Sequence, residues 1–285
     1  MSAKDDFFVR FWGVRGSIAC SAPDTVRYGG NTSSLEVRCG DELLILDAGT
    51  GLRYLGNNLS GGAKLHAHML LTHTHFDHIC GLPFFQPAYN AENSFDLWAG
   101  HLPEGHKIRD VLAQMMSPPL FPVPPDIFKA EMTFHDFRAG ETINPYADVR
   151  IRTAPLNHPN GATGYRIEYG GQSICYITDH EHDRGPHDAV LVSLIRDADI
   201  VIFDATFTDD EYPRYAGIGH STWQEGVRIC DEANVRRYVV FHHNPEHDDD
   251  FMDGIAQEVA AVRPGSVVAR EGMVLRPGQL EPSGV

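Results

Sequence analysis

The segment Leu70–Gly81, LLTHTHFDHICG, places three histidines and one aspartate within six residues, directly after an apolar run. All four are residue types that bind metal ions: His73, His75, Asp77 and His78. A polar turn that followed a strand by chance would have no reason to select only imidazole and carboxylate side chains at this spacing. The segment therefore predicts a metal site at the end of a buried strand.

The chain has 285 residues, 42% of them hydrophobic and 22% charged, which is typical of a soluble globular protein with its own core. We expect residues 1–285 to form a single domain. Five cysteines are scattered without a CxxC pair, which favours reduced thiols and a cytoplasmic location. The N-terminus does not resemble a signal peptide and no apolar run is long enough to cross a bilayer, so no membrane is expected.

The charge balance is strongly acidic, with 39 Asp and Glu residues against 23 Lys and Arg residues and a net charge of −16. Proteins that bind long nucleic acids need a basic surface to replace the counterions of the phosphates, and this chain has no Lys/Arg cluster. We therefore expect a small-molecule anionic substrate and no long nucleic acid. A bound metal ion would supply the local positive charge for such a substrate. The oligomeric state is left open, a homodimer included.

Strand-like and helical stretches alternate along the chain, which is typical of an α/β fold. Helices are predicted at Leu52–Leu59, Lys107–Met116, Asp188–Arg196, Ser221–Ala233 and Phe251–Val262. Several predicted strands end in, or are followed by, a candidate ligand or its partner: Asp47, His73, His158, Asp179, Asp204 and His242. Since strand ends meet at one edge of a layered α/β fold, we expect these side chains to lie together.

The middle section, residues 82–142, is the least regular part of the sequence. Five prolines lie between Pro118 and Pro125, which excludes a helix or a central strand there. The segment is either a structural connector or an apolar wall over the active site. In the second case, Phe121 is its predicted contact residue.

The THTHFDH segment, followed later by single His, Asp and His residues, resembles the metallo-β-lactamase superfamily, whose pattern is HxHxDH with those three further ligands. The resemblance covers nearly the whole chain and implies a four-layer αβ/βα sandwich with a two-metal site at one edge. It implies one ion on His73, His75 and His158, a second on Asp77, His78 and His242, and Asp179 as the bridge. Zinc is the expected metal, with manganese or iron tolerated by these ligands, and a hydroxide held between the ions would be the nucleophile.

Some of these assignments rest on a choice between neighbours. Asp179 is preferred over Asp183, and over the neighbouring His180 and His182, because it lies at the strand end. His242 is preferred over His243, because successive residues of a strand face opposite sides. Asp47 either accepts a hydrogen bond from a ligand imidazole or is a turn residue.

A second stretch, residues 204–243, is similar to the ribonuclease Z and phosphodiesterase branch of the superfamily, where an EATF-like segment precedes a GHST loop; here these read DATF and GHST. In that branch the loop histidine, here His220, assists at the scissile phosphate, and the acidic residue, here the shorter Asp204, orients it. The candidate catalytic residues are therefore Asp77, His220 and Asp204. The HST segment can also cap the helix that follows it.

The resemblance implies a dimetal phosphodiesterase acting on a small phosphodiester such as a cyclic nucleotide. Ribonuclease Z carries a basic arm that grips transfer RNA, and the 24 residues between Asp179 and Asp204 contain no such insertion. A lactone or thioester hydrolase is the alternative enzyme, since such enzymes share the HxHxDH pattern. A non-catalytic metal-binding sensor is the alternative outside enzymes, and the presence of all seven ligands argues against it.

Overall fold

The computed structural model describes residues 6–62, 64–183 and 185–279. In these ranges the first sheet has seven strands: β1 (Phe7–Gly13), β2 (Ser34–Cys39), β3 (Glu42–Leu46), β4 (His66–Leu71), β5 (Ser94–Ala99), β6 (Glu131–Asp136) and β14 (Val274–Leu275). The second also has seven: β7 (Thr142–Tyr146), β8 (Val149–Leu156), β9 (Ala162–Tyr169), β10 (Gln172–Ile177), β11 (Ile200–Asp204), β12 (Arg237–Phe241) and β13 (Val267–Val268). The strand orders are β14-β1-β2-β3-β4-β5-β6 and β13-β12-β11-β10-β9-β8-β7.

The helices of the described residues are α1 (Gly51–Leu59), α2 (Phe76–Ile79), α3 (Ile108–Met115), α4 (Ala189–Ile195), α5 (Tyr212–Tyr215), α6 (Trp223–Glu232) and α7 (Asp249–Val262). Helices α1 and α3 bury their apolar faces against the outer side of the first sheet. Helices α4, α6 and α7 cover the outer side of the second sheet. The order helix, sheet, sheet, helix confirms the predicted four-layer αβ/βα architecture.

The core between the sheets follows from the period of two along the strands. In β1, FFVRFWG, alternate residues Phe7, Val9 and Phe11 are buried, and they meet side chains of β12 such as Phe241. The rings of Phe11 and Phe241 lie 6.0 Å apart, one from each sheet. Burial of each side chain of this size stabilises the fold by about 1.5–3 kcal/mol. This apolar layer therefore holds the two sheets together.

The parallel strands set the position of the candidate site. Strands β3 to β6 run parallel in the first sheet, and β10 to β13 run parallel in the second. Strands β11 (IVIFD) and β12 (RYVVF) are buried throughout, as expected for parallel strands covered on both faces. Ligands bind outside the carboxyl ends of such strands, and Asp47, Asp179 and His242 follow the ends of β3, β10 and β12.

The five predicted helices are confirmed, with ends within two residues of those predicted. The section expected to be the least regular contains, besides the predicted α3, the strands β5 and β6. Strand β5, SFDLWA, alternates between half-buried and buried residues, and its polar Ser94 and Asp96 hide the strand pattern in the sequence.

The proline-rich segment lies against α3 and β6 on the outer face of the first sheet. With Leu112, Met116 and Phe134 it lines a cavity of about 590 Å³. The ring of Phe121 packs edge-on against Phe84, with centroids 6.0 Å apart. The pocket beside His73 is lined by residues outside this segment, which favours the connector over the wall.

The longest described helix, α7, has 14 residues. Within the described ranges, no helix combines the length and the apolar character that crossing a membrane requires.

Candidate metal centre

The HxHxDH segment joins the end of β4 to the short helix α2. His73 lies two residues beyond the strand, His75 directly precedes the helix, and Asp77 and His78 lie within it. A strand end followed at once by a helical turn brings all four side chains to the same sheet edge. His73, Asp77 and His78 are buried, so their polar atoms need partners.

The first group of candidate ligands is His73, His75 and His158, each with a ring nitrogen within 4.8 Å of the others. The Nδ1–H of His158 donates to the carbonyl of Gly219 at 2.7 Å, which leaves its Nε2 as a lone pair. That Nε2 atom lies 3.1 Å from Nδ1 of His75. Nε2 of His73 is buried and has no hydrogen-bond partner. Three nitrogens that converge in this way fit a shared cation.

The second group is Asp77, His78 and His242, again with ligand atoms within 4.8 Å of one another. Oδ2 of Asp77 lies 3.2 Å from Nε2 of His78 and 3.6 Å from Nε2 of His242. Both Nε2 atoms are buried without a hydrogen-bond partner. Their Nδ1 atoms are engaged elsewhere, by Asp47 at 2.9 Å and by the Thr206 hydroxyl at 3.0 Å. The unpartnered nitrogens therefore face the carboxylate, as metal ligands would.

Asp179 lies between the two groups. Its Oδ1 is 3.8 Å from Nε2 of His73 and 3.6 Å from Nε2 of His158. Its Oδ2 is 3.2 Å from Nε2 of His78 and 3.3 Å from Nε2 of His242. One oxygen for each group is the geometry that a carboxylate bridging two cations needs.

The backbone is left-handed at three of the strand ends that form this edge. Asp47, Asp179 and His242 have φ values of 57°, 58° and 61°. This conformation costs roughly 1–3 kcal/mol for a residue other than glycine, and it persists only where surrounding contacts impose it. Here it turns each side chain away from the strand direction. The shared conformation at the ends of β3, β10 and β12 supports this edge as the candidate site.

Four buried carboxylates concentrate negative charge at this edge: Asp47, Asp77, Asp179 and Asp204. Their ion pairs in the described part of the chain are with histidines. Burying unbalanced charge is costly, and divalent cations would balance it. Burial opposes ionisation of Asp179, but the histidines around it, His242 first, hold its pKa well below the ordinary value. Burial lowers the pKa of His73 well below its ordinary value. Burial opposes the charged form of His78, but Asp77 and Asp179 raise its pKa well above the ordinary value, so this ring would release a proton on metal binding. Ionised carboxylates and neutral imidazoles are the states that bind metal ions.

His220 lies beside this cluster on the GHST loop. Its Nδ1 is 2.9 Å from Oδ2 of Asp204 and 3.8 Å from Oδ1 of Asp179. Burial alone would lower the pKa of His220, but Asp204 outweighs it and raises the pKa to about 9. Asp204 is itself held by the Thr206 hydroxyl at 2.8 Å. Asp204, although shorter than the Glu of the EATF-like segment, therefore reaches the loop histidine. The same loop also caps α6, because the hydroxyl of Thr222 accepts from the N–H of Glu225 at 3.0 Å.

Asp47 accepts a hydrogen bond from the ring of His78, which is one of the two roles predicted for it. It also accepts from the backbone N–H of Thr72 at 2.7 Å and from the hydroxyl of Tyr176 at 2.9 Å. Thr72 and Tyr176, like Thr206, were not predicted. Tyr176 lies in β10, while Thr72 and Thr206 lie just beyond the ends of β4 and β11. Only the folded arrangement of these strand ends reveals that they hold the proposed ligands or their partners.

The structure also separates the competing neighbours. Nε2 of His243 donates to the carbonyl of Ala269 at 2.8 Å, while His242 lies in the cluster. Asp183 is exposed and belongs to no group of candidate ligands. A Cβ atom on Gly16 would lie 2.4 Å from the ring of His242, so only glycine fits there. All seven proposed ligands are therefore brought together, and the neighbouring alternatives are not.

Comparison with known proteins places this site in a family. The model of the beta-lactamase superfamily domain matches residues 44–243, and the chain belongs to that family. The protein is thus a metal-dependent hydrolase by family and by its cluster of candidate ligands.

Three similar proteins extend the comparison. The Ribonuclease Z of Halobacterium salinarum is 26% identical, over 93% of this chain and 96% of the relative. The structure of Zn²⁺-bound PqqB from Methylobacterium extorquens has a TM-score of 0.72 at 19% identity and covers 94% of this chain and 99% of that one. The short form of human tRNase Z has a TM-score of 0.68 at 18% identity, covering 95% and 100%. At these identities the two structures show a shared fold.

The expectation that no long nucleic acid is bound is wrong, because full-length relatives of this chain are named Ribonuclease Z. That expectation used the net charge of −16, which sums over the whole surface. Binding of a polyanion depends on the local potential at the site. Two bound cations would contribute strongly to that potential whatever the charge of the remaining surface.

Proposed function

We propose that this protein is a dimetal phosphodiesterase, with a small phosphodiester such as a cyclic nucleotide as its minimal substrate. The observation that carries the proposal is the pair of His220 and Asp204 beside the proposed ligands, with Nδ1 and Oδ2 2.9 Å apart. An imidazolium held by a buried carboxylate at the edge of a metal site is suited to protonate a departing alkoxide. The similarity to proteins named Ribonuclease Z supports the same reaction class.

The proposed ligands are five histidines and two aspartates: His73, His75, His158, Asp77, His78, His242 and Asp179. Their unpartnered nitrogens and buried carboxylates fit two divalent ions. Imidazole with carboxylate favours zinc, while manganese and iron accept the same donors. When bound, such ions supply an activated water nucleophile and neutralise charge on the phosphate.

The remaining work is done by side chains of this chain. Asp204 engages Nδ1 of His220 and stabilises the charged ring, so that Nε2 carries the proton to the leaving oxygen. Asp47 and Thr206 accept from the Nδ1–H groups of His78 and His242, and this fixes which nitrogen of each ring faces the site. Catalysis then depends on three acceptors that never touch the substrate.

The test is an activity screen of metal-replete protein on bis-p-nitrophenyl phosphate, cyclic nucleotides and precursor transfer RNA, in parallel with lactones and thioesters. RNA is included because of the relatives named Ribonuclease Z. We expect hydrolysis of at least one phosphodiester to exceed hydrolysis of every lactone and thioester by 100-fold or more in kcat/KM. Preferred hydrolysis of a lactone or thioester would overturn the proposal, as would activity that survives Asp179→Ala.

We also propose that residues 1–285 form one domain, because strands from both ends of the chain share the core between the sheets. β1 and β12 meet there through Phe11 and Phe241. A single cooperative unfolding transition of the metal-free protein is expected, and two separate transitions would contradict it.

A further inference from the structure

Glu181 links three segments that carry candidate site residues. It lies two residues beyond Asp179, and its backbone N–H donates to the carbonyl of Asn157 at 2.8 Å. The side-chain amide of Asn157 returns a bond of 2.9 Å to the carbonyl of Glu181. Asn157 directly precedes His158, so these two bonds tie the segment of the bridging aspartate to the segment of a ligand histidine.

The carboxylate of Glu181 holds a third segment, residues 216–220, which we call the His220 loop. Oε2 accepts from the N–H of Gly219 at 2.7 Å, and Oε1 accepts from the N–H of Gly217 at 2.5 Å. Both glycines have a φ of 98°, so the turn they form needs residues without a side chain. These two charge-assisted bonds, to N–H groups two residues apart, define the course of the loop.

Gly219 connects Glu181 to the candidate site. Its N–H is held by Glu181, and its carbonyl accepts from Nδ1–H of His158 at 2.7 Å. A Cβ atom on Gly219 would lie 2.3 Å from Nδ1 of His158, so the loop and the ring are in direct contact. The next residue is His220, whose Nδ1 meets Asp204. A single carboxylate thus fixes both the carbonyl that orients a ligand and the backbone that carries the candidate acid.

We propose that Glu181 is a positioning residue that sets the geometry of His158 and His220 together by holding the His220 loop. The expected effect of Glu181 on turnover rests on the function proposed above. Its expected effect on amide hydrogen exchange of the His220 loop rests on the loop geometry alone. Glu181 does not touch a reacting atom in this account. Its effect on catalysis is expected to shrink when His220 is removed, because only the part that acts through His158 then remains.

The test uses Glu181→Gln, which keeps the shape of the side chain but leaves one oxygen to serve two N–H groups. Glu181→Asp keeps the charge with a shorter reach and should give an intermediate effect. The matched control is Glu211→Gln, since that carboxylate accepts from Thr208 and His247 on the neighbouring turn and not from the His220 loop. Thermal melting of each variant checks that it folds.

The first readout is amide hydrogen exchange of the metal-free protein by mass spectrometry. Exchange of a peptide covering residues 216–220 should be at least 10-fold faster in Glu181→Gln and unchanged in Glu211→Gln. Equal exchange in the parent and in Glu181→Gln would overturn the proposal, even if the protein proved to have another activity.

The second readout is turnover of a phosphodiester with a poor leaving group. Glu181→Gln should lower kcat by about 10-fold or more with KM within 3-fold, since the substrate still binds. The same substitution in a His220→Ala background should cost less than 3-fold, because groups that act through one another are not additive. An undiminished cost in that background would show that Glu181 does not act through His220 and would overturn the proposal. Absence of phosphodiesterase activity in the parent would remove the proposed function, while the exchange result would still decide the role of Glu181.

Discussion

The Nδ1 atom of His220 lies 2.9 Å from Oδ2 of Asp204, a carboxylate with no exposed surface. A buried acid at this distance stabilises the charged imidazole and fixes the nitrogen that remains for a substrate. His220 also lies 3.8 Å from Asp179, which faces both groups of proposed metal ligands. In the proposed mechanism this pair would place a protonated imidazole beside the candidate metal centre.

Metal content tests the bridging role of Asp179. The parent protein should hold two divalent ions per chain after reconstitution, because two groups of ligand atoms converge on the two oxygens of that residue. Asp179→Ala should retain one ion or none, and elemental analysis of the desalted proteins measures the difference. One ion in the fully reconstituted parent would refute a dinuclear site.

Two adjacent histidines provide a matched pair of variants. His242→Ala should lose an ion and at least 100-fold in kcat, because its Nε2 atom faces Asp77 and Asp179. His243→Ala should keep both ions, because its ring bonds to Ala269 instead. His243→Ala should instead lower the free energy of unfolding by about 1–3 kcal/mol, because packing and one hydrogen bond are lost. Loss of metal from the His243 variant alone would reverse the assignment.

The same His243 predicts a pH dependence of stability in the metal-free protein. Burial lowers its pKa from 6.5 to about 3 in the folded state. Between these values the unfolded chain takes up a proton that the folded protein refuses, so the free energy of unfolding falls as the pH falls. One such proton contributes about 1.4 kcal/mol per pH unit. Urea unfolding with chelator at pH 5.5 and 4.5 should show a shallower decline in His243→Gln by roughly this amount, and equal declines would contradict the predicted shift.

That the proposed ligands lie together could be predicted from the sequence, because each follows a strand or lies in the dense HxHxDH segment. The helices α6 and α7 could be predicted because apolar residues at helical spacing are a local signal in the sequence. Asp204 could be predicted as the partner of His220 from the DATF segment. Whether its short side chain reaches that ring depended on the loop geometry, which only the structure shows.

Other features depended on contacts between distant parts of the chain. Thr72, Tyr176 and Glu181 carry no local signal, and their roles arise where two sheets and a loop meet. Strand β5 was missed because half-buried polar residues interrupt its apolar pattern. Long nucleic acids were wrongly excluded as substrates, because the total charge of the chain says little about the electrostatic potential at one edge of the sheets.

The central claim is that His220 delivers a proton to the leaving group of a phosphodiester, and leaving-group dependence in His220→Ala tests it most directly. On a diester with an alkoxide leaving group, kcat should fall by roughly 10²–10⁴-fold, with metal content unchanged. On bis-p-nitrophenyl phosphate the loss should be at least 10-fold smaller, because p-nitrophenolate departs well without a proton. Equal losses on both substrates, or near-normal kcat on the alkoxide diester, would contradict the account.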